Sequence, residues 1–147
     1  MDDKPLLYRV GAISNEEIEK CIGKLAVKNT AAASPEAPGM INKHYSPRTK
    51  FIVSENIGAA IKENLNLNVG FLLFKNESLA LSSTKYIQLS NTKNLVEAAS
   101  NLYSAMHELD RMNFDVIYAE KLPDKGLGVT INDRFYRAQE ENFEFKI

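Results

Sequence analysis

From Phe51 onward the chain alternates short apolar runs with longer stretches of helical periodicity, and one of the runs, Val69 to Phe74, contains no polar side chain at all. A strand with one face in water alternates polar with apolar residues. A run without alternation is buried on both faces, as in a parallel sheet covered by helices on each side. Phe51–Val53, Tyr86–Leu89 and Val116–Ala119 read as three further strands. Between them, Ser54 is placed to cap a helix carrying Ile57, Ala60, Ile61 and Leu65. Over 94–110, Leu95, Ala99, Leu102, Met106 and Leu109 recur at helical spacing, and Leu127, Ile131, Phe135 and Ala138 mark a last helix. The crossover from Lys75 to Lys85 is short for a helix. Strands alternating with helices predict an α/β fold: a three-layer α/β/α, open, mainly parallel, Rossmann-like sheet. The tail, with Phe143, Phe145 and Ile147 alternating, is expected to pack along an edge or beneath the sheet.

The first 50 residues have a different character. Leu6–Ile13 alternates weakly, holds Arg9 and Gly11, and reads as a short strand with no partner sheet in reach. Ser14 stands three before Glu17, a capping-box spacing, and opens a short helix with Ile18, Cys21, Ile22 and Leu25 on one face, where Cys21 is expected to be buried rather than reactive. Residues 29–36 are small and polar, and three of the five prolines fall between Pro35 and Pro47, so this is an extended linker. Inside it, Ala37 to Pro47 reads Ala-Pro-Gly-Met-Ile-Asn-Lys-His-Tyr-Ser-Pro. Pro38 and Pro47 fix their own φ and push the preceding residue toward extended geometry, while Gly39 permits a sharp reversal. The result is a shaped loop presenting Met40, His44 and Tyr45. A tether anchored to the domain surface is the plainer account of the same residues.

With 147 residues and 44% hydrophobic content the chain has room for one ordinary domain and an appendage. Its apolar runs fall far short of the ~20 residues that span a bilayer, and Met-Asp-Asp-Lys lacks the features of a signal peptide, so no membrane association and a cytoplasmic location are expected. A lone cysteine excludes an internal disulfide, and without a Cys or His cluster a metal site is not expected. Residues 1–50 carry eight Lys or Arg against six Asp or Glu, and residues 51–147 carry ten against thirteen. That mildly acidic body disfavours direct tRNA binding by this domain.

No nucleophile–histidine arrangement is legible, since His44 lies in the linker and His107 on the polar side of the long helix. Asp110, Asp115, Asp124 and Asp133 read as helix-end and turn residues, and Arg134 and Arg137 as partners of Glu140 or Glu141. Open parallel sheets bind ligands at the carboxyl ends of their strands, which here gathers Ser54, Lys75, Asn76, Ser90 and Glu120 with the turn Gly126-Leu127-Gly128. Ser54, Glu120, Gly126 and Gly128 are thus the candidate ligand or anion site of a stand-alone nucleotide- or anion-binding domain. Capping and close packing are the structural alternative for the two glycines. The first strand-to-helix turn, Ser54 to Gly58, lacks the Gly-rich dinucleotide fingerprint.

The linker loop, together with Asp115 to Glu120, Gly126-Leu127-Gly128, Asn132-Asp133-Arg134 and Arg137-Ala138, resembles the C-terminal domain of the two-domain threonylcarbamoyl-AMP synthases. The family's linker pattern, Ser-Pro-Gly-Met-x-Tyr-x-His-Tyr-x-Pro, is matched at Pro38, Gly39, Met40, His44, Tyr45 and Pro47. Ala37 replaces its serine and Asn42 its first tyrosine. Leu6–Ile13 is similar to the last strand of the family's catalytic domain, with Val10 in place of the usual proline. The resemblance implies a remnant of that domain at 1–13, an interdomain linker at 14–50 and a C-terminal α/β accessory domain at 51–147.

It also implies a function. Such enzymes make threonylcarbamoyl-adenylate from threonine, bicarbonate and ATP for threonylcarbamoyladenosine biosynthesis in tRNA, and the chemistry resides in the N-terminal domain. The nucleotide-binding Lys-x-Arg and Ser-x-Asn motifs of that domain have no counterpart here. The chain is therefore expected to be a noncatalytic accessory domain without a cofactor of its own. ATP and a divalent cation such as magnesium are expected in the catalytic domain of a nucleotidyltransferase parent, its partner in the same chain or separately encoded. The six matching linker residues are expected to form a lid over that active site.

Overall fold

The computed structural model describes residues 5–7, 13–27, 47–75 and 85–144. Its body is a four-stranded, all-parallel sheet of β3 (Lys50–Ser54), β4 (Val69–Leu73), β5 (Lys85–Gln88) and β6 (Val116–Glu120), arranged in the order β3-β6-β4-β5. The last strand thus sits inside the sheet, between the first two of the body. All five residues of β4 are buried, as its uninterrupted apolar run requires. Three helices flank the sheet: α2 (Ile57–Glu63), α3 (Leu95–Arg111) and α4 (Leu127–Glu144). The expected α/β/α layering is what the chain adopts.

Register decides which residues meet on each face. Val53, Ala119, Leu72 and Ile87 are aligned across the sheet and point to one core with Phe51, Ile117, Leu102, Leu109, Ile131 and Phe135. Within it, the Phe51 and Phe135 rings meet at 5.6 Å. The opposite face packs Phe71, Val69 and Leu73 against Ala60 and Ile61 of α2, with Phe71 stacked on Tyr118 at 5.9 Å. The outer N–H of Val53 on edge strand β3 donates to Gln139 Oε1 of α4 at 2.7 Å, so that edge is covered by a helix.

Several local expectations are corrected. Asn56, and not Ser54, caps α2, its Oδ1 accepting the Ala59 N–H at 3.1 Å; β3 continues through Ser54, which leaves no room for a helix start there. Leu65 lies beyond the helix and is exposed. Arg134 and Arg137 both approach Asp133, at 3.8 and 2.9 Å, while the Glu141 side chain nominated as their partner lies outside the described residues.

The N-terminal segment contains β1 (Leu6–Leu7), α1 (Asn15–Ile22) and β2 (Ala26–Val27). Ser14 caps α1 in a full capping box with Glu17, as its spacing predicts. The strand expected to lack a partner has one, since Leu6 and Leu7 pair in parallel with Ala26 and Val27. Cys21 is exposed rather than buried, because α1 buries none of its residues. The interior of the Lys75 to Lys85 crossover, the linker tract at 29–36 and the end of the tail, with Phe145 and Ile147, lie outside the described residues.

Candidate functional site

In an open parallel sheet the crevice for a ligand opens where neighbouring strands send their connections to opposite faces. Here that place is between β3, which leads to α2, and β6, which leads to α4 on the other face. Ser54 and Glu120 are aligned partners there, so two of the four nominated residues do come together. Their surroundings are engaged by the chain itself. The Lys121 N–H donates to the Ser54 carbonyl at 3.1 Å, and Lys121 Nζ bridges Glu55 at 3.0 Å and Asp124 at 3.1 Å. The Glu55 and Asp124 carboxylates raise the Lys121 pKa above the usual lysine value, and Lys121 followed by Asn132 lowers that of Asp124. A Glu120 carboxylate oxygen accepts the Phe74 N–H at 2.7 Å, tying the end of β6 to the end of β4.

The turn before α4 is also committed. Gly126 takes a φ of 51°, where a side chain is strained, and a Cβ on Gly128 would lie 2.0 Å from the Pro123 carbonyl oxygen. The Gly128 and Val129 N–H groups donate to Lys125 and Gly126 carbonyls at 3.0 and 3.3 Å. Buried Asn132 brackets the same turn: its Oδ1 accepts the Leu122 N–H, and its Nδ2 donates to the Leu122 carbonyl and to Asp124. Ser90, nominated at the end of β5, accepts the Thr92 and Asn94 N–H groups and donates to Glu97, which fixes the start of α3. Lys75 is half-buried just beyond β4, and Asn76 lies outside the described residues.

Of the six nominated lid residues, Pro38, Gly39, Met40, His44 and Tyr45 lie outside the described residues, while Pro47 is buried at the approach to β3. The segment is secured two residues later. Asp110 Oδ1 accepts both the Thr49 N–H and the Thr49 hydroxyl at 2.8 Å. Burial alone would raise the Asp110 pKa, but the Thr49 donors, helped by Arg48, more than offset it and leave it below the ordinary value. Sequence reasoning reads Asp110 only as a helix-end residue, because a bond across 61 positions leaves no periodic signal. The Asn132 bracket is missed for a related reason: nothing in the sequence tells a helical asparagine that faces inward from one that faces water.

His107 is exposed, as expected. Among the described residues no group of His, Cys, Asp and Glu is arranged to hold a metal ion, and no helix is long and apolar enough to cross a membrane.

The model of the family described as threonylcarbamoyl-AMP synthase, C-terminal domain, matches residues 13–139. The chain belongs to this family. It is 34% identical over 146 residues to the threonylcarbamoyl-AMP synthase of Pyrococcus abyssi, covering 91% of the chain and 42% of that protein. With the threonylcarbamoyl-AMP synthase of Bacillus subtilis it shares 31% identity over 147 residues, covering 93% of the chain and 42% of the relative. Among solved structures, P. abyssi Sua5 complexed with L-threonine superposes with a TM-score of 0.74 at 30% identity, over 93% of this chain and 43% of that one. The chain thus spans 42% of the length of these curated relatives, and its family match is to their C-terminal domain.

Proposed function

We propose that the chain serves as the noncatalytic accessory domain of a threonylcarbamoyl-AMP synthase, with the loop from Ala37 to Pro47 acting as a lid over the active site of a catalytic domain. That domain would use ATP, threonine and bicarbonate, with a divalent cation such as magnesium, in the cytoplasmic biosynthesis of threonylcarbamoyladenosine in tRNA. The observation that carries this reading is the family match across 13–139. Two features support it. The P. abyssi relative is a complex with L-threonine, which makes the amino-acid substrate class the natural one for the parent of this chain. The strand ends where a nucleotide would sit are spanned by the Lys121 bridge and the Glu120–Phe74 bond, which favours an accessory role over a stand-alone nucleotide- or anion-binding domain.

A closed lid excludes water and holds the reacting groups together, so the shape of the loop and its polar side chains both count. In the synthase that carries this domain, replacing Pro38 and Gly39 together, or His44→Ala, should lower turnover while the melting temperature of the body is unchanged. Losing one polar contact in a closed site costs about 1–3 kcal/mol, or roughly 5- to 150-fold. Turnover and nucleotide affinity within about twofold of the parent for all of these variants would reduce the loop to a tether. Saturable ATP binding by the chain alone in calorimetry would instead favour a nucleotide site of its own.

A further inference from the structure

Basic side chains gather at the end of the sheet opposite the strand ends described above. Arg48 and Lys50 flank Thr49 where β3 begins, and His107 and Arg111 stand one turn apart near the end of α3, with Asp110 beside them. All four line one groove of about 940 Å³, together with Asp110 and Asp115. Lys50 is aligned with Val116 and Ser54 with Glu120, so the groove lies about 13 Å along β3 from the Ser54 and Glu120 pair, at ~3.3 Å per residue.

The charges of the groove do not cancel. Arg48, Lys50 and Arg111 are three permanent cations, and Asp110 and Asp115 are two carboxylates. The excess is local, because residues 51–147 carry ten Lys or Arg against thirteen Asp or Glu. Asp110 Oδ1 is met by the Thr49 N–H and hydroxyl at 2.8 Å, so a main-chain group and a hydroxyl occupy that oxygen rather than a cationic side chain. Among the described residues Arg48, Lys50 and Arg111 form no ion pair, whereas Lys121, Arg134 and Arg137 reach carboxylates at 3.0, 3.8 and 2.9 Å. The Thr49 to Asp110 bonds also hold β3 against α3, so the two elements that carry the cations are fixed together before a ligand arrives.

The rest of the lining narrows the ligand. Phe114 is packed on Gly70, with the Lys85 ammonium 5.7 Å from its ring centre, and offers no free face on which a base could stack. Guanidinium groups bind phosphate oxygens through paired hydrogen bonds, and an ammonium and an imidazole N–H add single ones. We propose that this groove is a site for linked phosphate groups, free as pyrophosphate or as the tail of a nucleotide, read without the base. It adds to the accessory role and does not depend on it.

The test titrates the 147-residue chain with sodium pyrophosphate, ATP and AMP while following its amide resonances. Pyrophosphate and ATP should both saturate below about 10 mM, shifting the amides of Thr49, Lys50 and Asp115 and leaving those of Glu120 and Gly128 in place. AMP, with a single phosphate, should bind about tenfold more weakly or less. Arg48→Ala combined with Arg111→Ala should weaken pyrophosphate binding about tenfold or more, and both side chains are exposed, so the body should stay folded. If that variant does not fold, Lys50→Ala, also at an exposed position, should weaken binding about threefold. No saturation by pyrophosphate, saturation by ATP alone, or an affinity that these substitutions leave unchanged overturns the proposal. ATP binding that the substitutions abolish is binding in this groove and leaves the accessory reading standing. Shifts at Glu120 and Gly128 that survive them would put the ligand at the strand ends and overturn both.

Discussion

Asn132 satisfies both main-chain groups of Leu122 from a position 3% exposed, and so holds the turn that launches α4. Asn132→Ala leaves the Leu122 N–H and carbonyl without partners, each unsatisfied group costing about 1–3 kcal/mol, and a urea melt should show a loss of that order. Gly128→Ala should cost a similar amount, about 1–3 kcal/mol, since the obstacle 2.0 Å away is a backbone carbonyl and the turn has to shift. Gly126-Leu127-Gly128 was legible as a special turn, but its geometry was not, because a glycine required by φ and one required by close approach look alike in sequence. Asp110 adds a pH signature. Its folded-state pKa is lowered from 3.8, so its contribution is fully present above that value and is lost as the pH falls through the lower folded-state value. Thermal melts from about pH 6 to about pH 2 should show Asp110→Asn to be less stable than the parent at the upper end, the difference closing at the lower. A constant difference across the range would remove the ionised carboxylate from the account.

At the scale of elements, the periodic signals were the trustworthy ones. The 3.6-residue repeat of Leu102, Met106 and Leu109 places them in the core, and the unbroken run from Val69 identified the central buried strand, because both patterns report burial directly. What failed were inferences from a residue's type about its local partner. Ser54 is a good capping residue that the sheet claims first, and the apolar face of α1 does not become interior within the described residues. This contrast gives a prediction. Asn94 caps α3 by accepting the Val96 and Glu97 N–H groups at 2.8 and 3.1 Å, so Asn94→Ala should destabilise the body by about 1 kcal/mol. Ser14→Ala removes an equally well-formed cap from α1 and should leave the melting temperature of the body where it was, since α1 buries nothing. Equal losses from the two substitutions would mean that α1 unfolds together with the body.

For the molecule as a whole, the α/β/α layering was legible from the alternation of strands and helices, whereas the strand order β3-β6-β4-β5 was not. Order depends on which strand edges meet after collapse, and no local pattern encodes that. Membership in the synthase C-terminal domain family was legible through the linker residues Pro38, Gly39, Met40, His44, Tyr45 and Pro47 together with the segments around Glu120 and Asn132. The central proposal is that this chain assists adenylation without performing it: the reaction needs a preorganised phosphate and carboxylate site, and the described ends of β3, β4 and β6 are engaged by the Lys121 bridge and the Glu120–Phe74 bond. The most direct measurement is threonylcarbamoyl-adenylate formation from ATP, L-threonine and bicarbonate, assayed for the chain alone and for the synthase carrying both parts. The account predicts product from the synthase and none above a heat-killed control from the chain. Product from the rigorously purified chain would contradict it.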